Sequence, residues 1–117
     1  MELQFDLEML EWLSNWSGKF DWDEGNEQKN EKHGISSSQI ETIFDSPVYL
    51  AGKIMQGREE PRWLLLGETI FKNWTLIITT RGQKLRVVSC RRQRKKEAAF
   101  YEKIKKEGES RLRSSGV

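Results

Sequence analysis

The chain has 117 residues and a mass of 13.8 kDa, enough for one domain built on one hydrophobic core. With 36% hydrophobic and 32% charged residues and no run of about 18 apolar ones, it offers no membrane-spanning segment, and the opening Met1-Glu2-Leu3-Gln4 lacks the basic-then-apolar pattern of a secretory leader. The net charge of +2 hides an asymmetry: residues 1–80 carry 7 Lys/Arg against 14 Asp/Glu, while residues 81–117 carry 13 against 4, a basic block suited to a phosphate backbone or an acidic protein surface.

In chain order, Leu7, Leu10 and Leu13 with Met9, Trp12 and Trp16 recur at helical spacing, so a helix is expected over Leu7–Trp16 with Asp6 as its N-cap and Gly18 as its stop. Trp12 and Trp16 either cap this domain's own sheet or meet a second copy. Lys19-Phe20-Asp21-Trp22 alternates polar and apolar, the pattern of a short strand. Asp23 caps a very polar helix that ends at His33-Gly34 and is expected to be exposed along most of its length. Ser36 to Gln39 starts another, with Ile40, Ile43 and Phe44 as its buried stripe and Asp45-Ser46-Pro47 as its end.

Four strands follow over Val48–Ile54, Arg62–Glu68, Trp74–Thr80 and Lys84–Ser89. The breaks fall at Gly57 to Pro61, Phe71-Lys72-Asn73 and Arg81-Gly82-Gln83, short links that predict an antiparallel meander. A basic helix is expected from about Gln93 to Glu107, with Ala98, Tyr101 and Ile104 along one apolar edge. The fold class is therefore α+β: an N-terminal strand and two helices, a four-stranded antiparallel meander, and a C-terminal basic helix. Cys90 is the only cysteine, which excludes an internal disulfide and fits a reducing, cytoplasmic setting. One His and one Cys cannot build a zinc shell, the acidic cluster at Asp21, Asp23, Glu24 and Glu27 lacks calcium-loop spacing, and no phosphate-cradling glycine motif is present, so neither metal nor cofactor is expected.

Three blocks in order carry a family resemblance. The first is Phe20-Asp21-Trp22-Asp23 with Asn30 and Lys32-His33-Gly34-Ile35; the second is Phe44-Asp45 with Pro47, then Arg62 and Gly67. The third is Arg81-Gly82, Arg86-Val87-Val88-Ser89-Cys90-Arg91-Arg92, Glu97 and Tyr101. Together they resemble the BrnT toxins over about Lys19 to Lys105. Asn26, Ser37 and Ile40 depart from the residues usual in that family. The resemblance implies a RelE-like fold and a ribonuclease toxin that stops translation. It also implies a BrnA-like DNA-binding antitoxin partner, through which alone operator DNA is contacted. The expected division of the chain is a helical extension over 1–18, outside the resemblance, a toxin domain over 19–107 and a small, polar, flexible tail over 108–117.

Metal-free RNA cleavage turns the ribose 2′-OH on its own phosphodiester, so the protein must align attack, neutralise charge developing on phosphorus and move protons. Arginine suits the charge because its fork matches two phosphate oxygens. Arg62, Arg81, Arg86, Arg91 and Arg92 are the candidates, of which regular strand alternation allows only a subset on one face; it sets Arg86 beside Val88 and Val87 beside Ser89. His33, the one histidine, is a candidate acid or base, or a helix C-terminal residue favoured there by the macrodipole. Lys32, Lys84, Arg94, Lys95 and Lys96 are candidate RNA contacts, while Ser89, Glu97 and Tyr101 are expected to support the site, Glu97 by anchoring an arginine of the preceding junction. Two other readings compete. One is a nucleic-acid-binding module without catalysis, using exposed aromatics such as Trp63 or Trp74. The other is an interaction domain whose basic groove takes an acidic or helical partner, which a degenerate, inactive toxin would also retain.

Overall fold

A computed structural model describes residues 2–55 and 59–115, with side chains as far as Glu107. Gly57, in one expected link, and the side chains of the 108–117 tail lie outside the described residues. The elements are β1 (Leu3–Gln4), α1 (Leu7–Asn15), α2 (Glu24–Lys32), α3 (Ser37–Ile43), β2 (Tyr49–Ile54), β3 (Trp63–Thr69), β4 (Lys72–Arg81), β5 (Lys84–Arg92) and α4 (Lys95–Ser115). The class is α+β as expected. The sheet has five strands in the order β1-β2-β3-β4-β5, every neighbour antiparallel.

The extra strand corrects the four-strand expectation. Leu3–Gln4 pairs with Lys53–Ile54, too short a segment to show alternation. Conversely, the strand expected over Lys19–Trp22 is only a single parallel bridge from Phe20 to Leu85. Its alternation serves packing instead: Phe20 stacks on Trp22 and meets Trp16 and Phe44 edge-on, with ring centroids 5.0 to 5.7 Å apart. The β3–β4 turn falls at Ile70-Phe71, and Lys72 and Asn73 belong to β4. Both turn residues are apolar and almost fully exposed, so no polar signal marked the break. β5 runs on through Arg92, and α4 continues past the expected end at Glu107.

The helices start where capping residues allow. Asp6, Asp23 and Ser36 each accept the backbone N–H three residues on, and α2 and α3 carry complete reciprocal caps. Asp6 also accepts the Trp63 indole N–H at 2.8 Å, which ties α1 to β3 and lowers the Asp6 pKa against the opposing effect of burial. One sheet face packs against α1, α3 and the residue Ile35 before it through Met9, Ile35, Ile40, Ile43, Leu65, Leu76 and Val87. Gly67 makes the α3–β3 approach possible, since a Cβ there would lie 2.5 Å from Ile43 Cγ2. The second face carries a smaller cluster of Ile54, Leu64, Leu66 and Tyr101, which seats α4. Trp63 and Trp74 are buried at 8% and 3% exposure, which corrects their reading as exposed aromatics. Among the described residues no helix is long and apolar enough to cross a membrane.

α2 departs from its expected exposure at two positions. Asn26 and Asn30, one turn apart, are buried and face the free edge of β5. Asn26 Nδ2 donates to the Asp21 and Val87 carbonyls, and Asn30 Oδ1 accepts the Cys90 backbone N–H at 2.8 Å. The Lys19 carbonyl and the Asp21 N–H satisfy Leu85 on the same edge. Backbone groups that would be open to a foreign strand are thus occupied from within. Asn30→Ala should lower stability by about 1–2 kcal/mol, because it strands the Cys90 N–H and leaves a small void. The cost is limited because Asn30 Nδ2 is itself unpartnered in the fold. A urea melt reads the difference.

Candidate functional site

Regular alternation would set Arg86 and Ser89 on opposite faces. The ladder shows otherwise: Ile78 pairs with Val87 and Ile77 with Ser89, leaving Val88 as an extra residue opposite no partner. This bulge reverses the parity of everything after it. Arg86 pairs with Thr79, Ser89 with Ile77 and Arg91 with Thr75, so all three share the α4 face of the sheet. The same register puts Arg62, which precedes Trp63 opposite Ile78, on that face beside Thr79. Arg62, Thr79 and Arg86 therefore form one row across β3, β4 and β5, with Ser89, Thr75 and Arg91 further along.

Carboxylates hold two of these guanidinium groups. Arg86, with 16% of its side chain exposed, contacts Asp21 at 3.2 Å and Asp23 at 2.9 Å. The Asp23 hydrogen bond raises the Arg86 pKa further and lowers that of Asp23. Asp23 is also the N-cap of α2, so the helix start and the arginine share one anchor. Arg91 grips Glu97 with two bonds of 2.9 Å. The same carboxylate accepts the Thr75 hydroxyl at 2.8 Å and the Arg94 backbone N–H at 2.8 Å. Burial opposes charge on Glu97, but these four donors outweigh it and hold the carboxyl down at about 2. Fixed partners cost both arginines part of their net charge and in return fix their forks in position. Among the described residues no carboxylate pairs with Arg62, whose Nε is buried without a hydrogen-bond partner.

Arg81 and Lys84 pair with each other at the β4–β5 hairpin, two residues from Thr79 and Arg86, so the same alternation puts them at the end of this face; Arg81 pairs with Glu60 at 2.8 Å, and Lys84 is exposed. Arg92 pairs with Trp74 and lies 5.7 Å from its ring centroid, on the face opposite Arg91. His33 is the C-cap of α2 and exposed, with exposed Lys32 before it. About 15 Å of helix separates His33 from Asp23, and so from the Arg86 end of the face. Ser89 is buried beside the bulge. Tyr101 is buried and donates to Glu68 at 2.6 Å, a carboxylate that also binds Lys105. Burial and that neighbouring charge push the Tyr101 pKa upward. Arg94, Lys95 and Lys96 are exposed at the start of α4.

Sequence reasoning missed Asp21 and Asp23 as holders of Arg86, and Thr75 and Thr79 as hydroxyls on the arginine face. Asp23 was legible only as a cap. The threonines had a signal in the period-2 pattern of Thr75, Ile77 and Thr79 along β4. Among the described residues no group of three or more His, Cys, Asp or Glu is placed to hold a metal ion.

A family model described as "Ribonuclease toxin, BrnT, of type II toxin-antitoxin system" matches residues 22–97. Neither a curated protein nor a solved structure matches the chain.

Proposed function

Since the chain belongs to the BrnT family of ribonuclease toxins of type II toxin–antitoxin systems, we propose that it cleaves RNA without a metal on the sheet face holding Arg62, Arg86 and Arg91. The observation that carries this reading is the Val88 bulge, which brings Arg91 onto the face that Arg62 and Arg86 already share. A phosphodiester laid there meets guanidinium donors whose orientation is set before substrate arrives, the arrangement that favours charge building on the non-bridging oxygens. Attack by the 2′-OH then breaks the P–O5′ bond and leaves a 2′,3′-cyclic phosphate and a 5′-hydroxyl.

Proton transfer is the weak part of this centre. Glu97 is a poor base at neutral pH, Tyr101 is buried and occupied by Glu68, and His33 stands at the far end of α2. Water takes the 2′-OH proton and supplies one to the departing 5′ oxygen in this reading, and turnover is correspondingly modest. Lys84, Arg94, Lys95 and Lys96 supply further phosphate contacts, with Lys32 and His33 more remote. Arg81 and Arg92 serve the fold or the antitoxin. The fold is of the RelE-like kind, the setting is the cytoplasm, and RNA cleavage stops translation. A BrnA-like antitoxin covers the basic face, and operator DNA is reached only through it.

The test is direct. Purified protein in EDTA should shorten a generic RNA into products with 2′,3′-cyclic phosphate ends. Cleavage that disappears in EDTA and returns with a divalent ion would overturn the metal-free mechanism. Intact RNA under every condition, with binding retained, would favour a non-catalytic module.

A further inference from the structure

Beside the arginine face lies a groove whose chemistry differs from it. Ala51, Leu64 and Leu66 of the sheet form its floor, and Leu3 and Phe100 border it. Phe100 sits one helical row away from the buried Tyr101 and remains 47% exposed. Arg94, Lys95 and Lys96 complete the lining, and among the described residues none of the three forms an ion pair. Glu97 lines the groove too, while binding Arg91. The groove is therefore continuous with the arginine face.

An apolar slot with an aromatic wall and unpaired cations at its mouth matches one kind of occupant: a flat base attached to an anionic backbone. A duplex cannot fill it, because its bases are stacked and paired inside the helix. We infer that this groove seats an unstacked base of single-stranded RNA next to the scissile phosphate, with Phe100 as the stacking platform and Arg94, Lys95 and Lys96 on the flanking phosphates. The inference rests on the ribonuclease reading above and adds the substrate class: single-stranded RNA.

The probe is a fluorescein-labelled ten-nucleotide 2′-O-methyl RNA, which lacks the attacking hydroxyl and so survives the assay, used single-stranded and as a blunt duplex. The full chain should prefer the single strand. Phe100→Ala should weaken that binding roughly tenfold and leave duplex binding alone, whereas Phe100→Trp should restore it. Unchanged binding by Phe100→Ala, or equal loss on both probes, overturns the inference while leaving the ribonuclease reading standing. So does a Phe100→Ala protein that binds RNA normally yet no longer co-purifies with its co-expressed antitoxin, which would assign the groove to a protein. Wild-type protein that binds neither probe removes the ribonuclease reading and the groove assignment together.

Discussion

Arg86→Ala should reduce RNA cleavage at least about a hundredfold, the effect of deleting one preset donor to a developing oxyanion. Arg86 stands in the row with Arg62 and Thr79 and is held from behind by Asp21 and Asp23. Arg86→Lys should recover little of the loss, since an ammonium keeps the charge but not the two-pronged geometry. The fold should tolerate the change: the two aspartates keep 32% and 57% of their side chains exposed, so losing the pair should leave the melting temperature close to that of the wild type. Cleavage of a labelled RNA, read beside a thermal melt and a growth assay on induction, separates chemistry from folding. Arg86→Ala protein that cleaves at the wild-type rate would move the active centre elsewhere.

Glu97→Ala should be the most damaging change to the fold, lowering stability by about 2–4 kcal/mol. It leaves the largely buried guanidinium of Arg91 without its counter-charge and strands Thr75 and the first turn of α4 at the same stroke. For a chain of this size that lowers the melting temperature by about 10 °C. The same contact sets a pH dependence. Glu97 is held at about 2, below its ordinary 4.5. Its contribution is complete above about pH 4.5 and is lost as the pH falls towards 2. Discounted for partial exposure, the contribution is on the order of 2 kcal/mol. Urea melts between pH 7 and pH 3 should fall more steeply for the wild type than for Glu97→Ala. Parallel curves would show that the Arg91 pair does not govern the acid limb.

The parts of the fold that follow from local pattern were legible. Strands β2 to β5 announce themselves through β-branched and leucine-rich runs, and the helix starts through Asp6, Asp23 and Ser36. What was not legible depends on partners distant in sequence. The bulge at Val88 is invisible in Arg86-Val87-Val88-Ser89, because an extra residue exists only relative to the strand opposite. Regular alternation therefore predicted the wrong companions for Arg86. The asparagines of α2 read as surface because amides usually are; only the exposed edge of β5 gives them a reason to be buried. Trp63 and Trp74 carry indole N–H groups that suggest a wet face, but Asp6 and Thr69 satisfy them inside. Among the site residues, the arginines were readable as a set from composition and family resemblance. Their sorting into Arg62, Arg86 and Arg91 on one side and Arg92 on the other was not.

The sealing of β5 by α2 and the Lys19–Asp21 segment has a consequence for self-association. A sheet that is to stack end on end into a fibre needs two open rims; among the described residues this one offers one, made of Leu3–Gln4 and the part of β2 that this short strand leaves uncovered. Two copies can zip together there, but a third finds no free backbone to join. Growth by strand addition therefore ends at a pair, a closed couple rather than an endless ribbon.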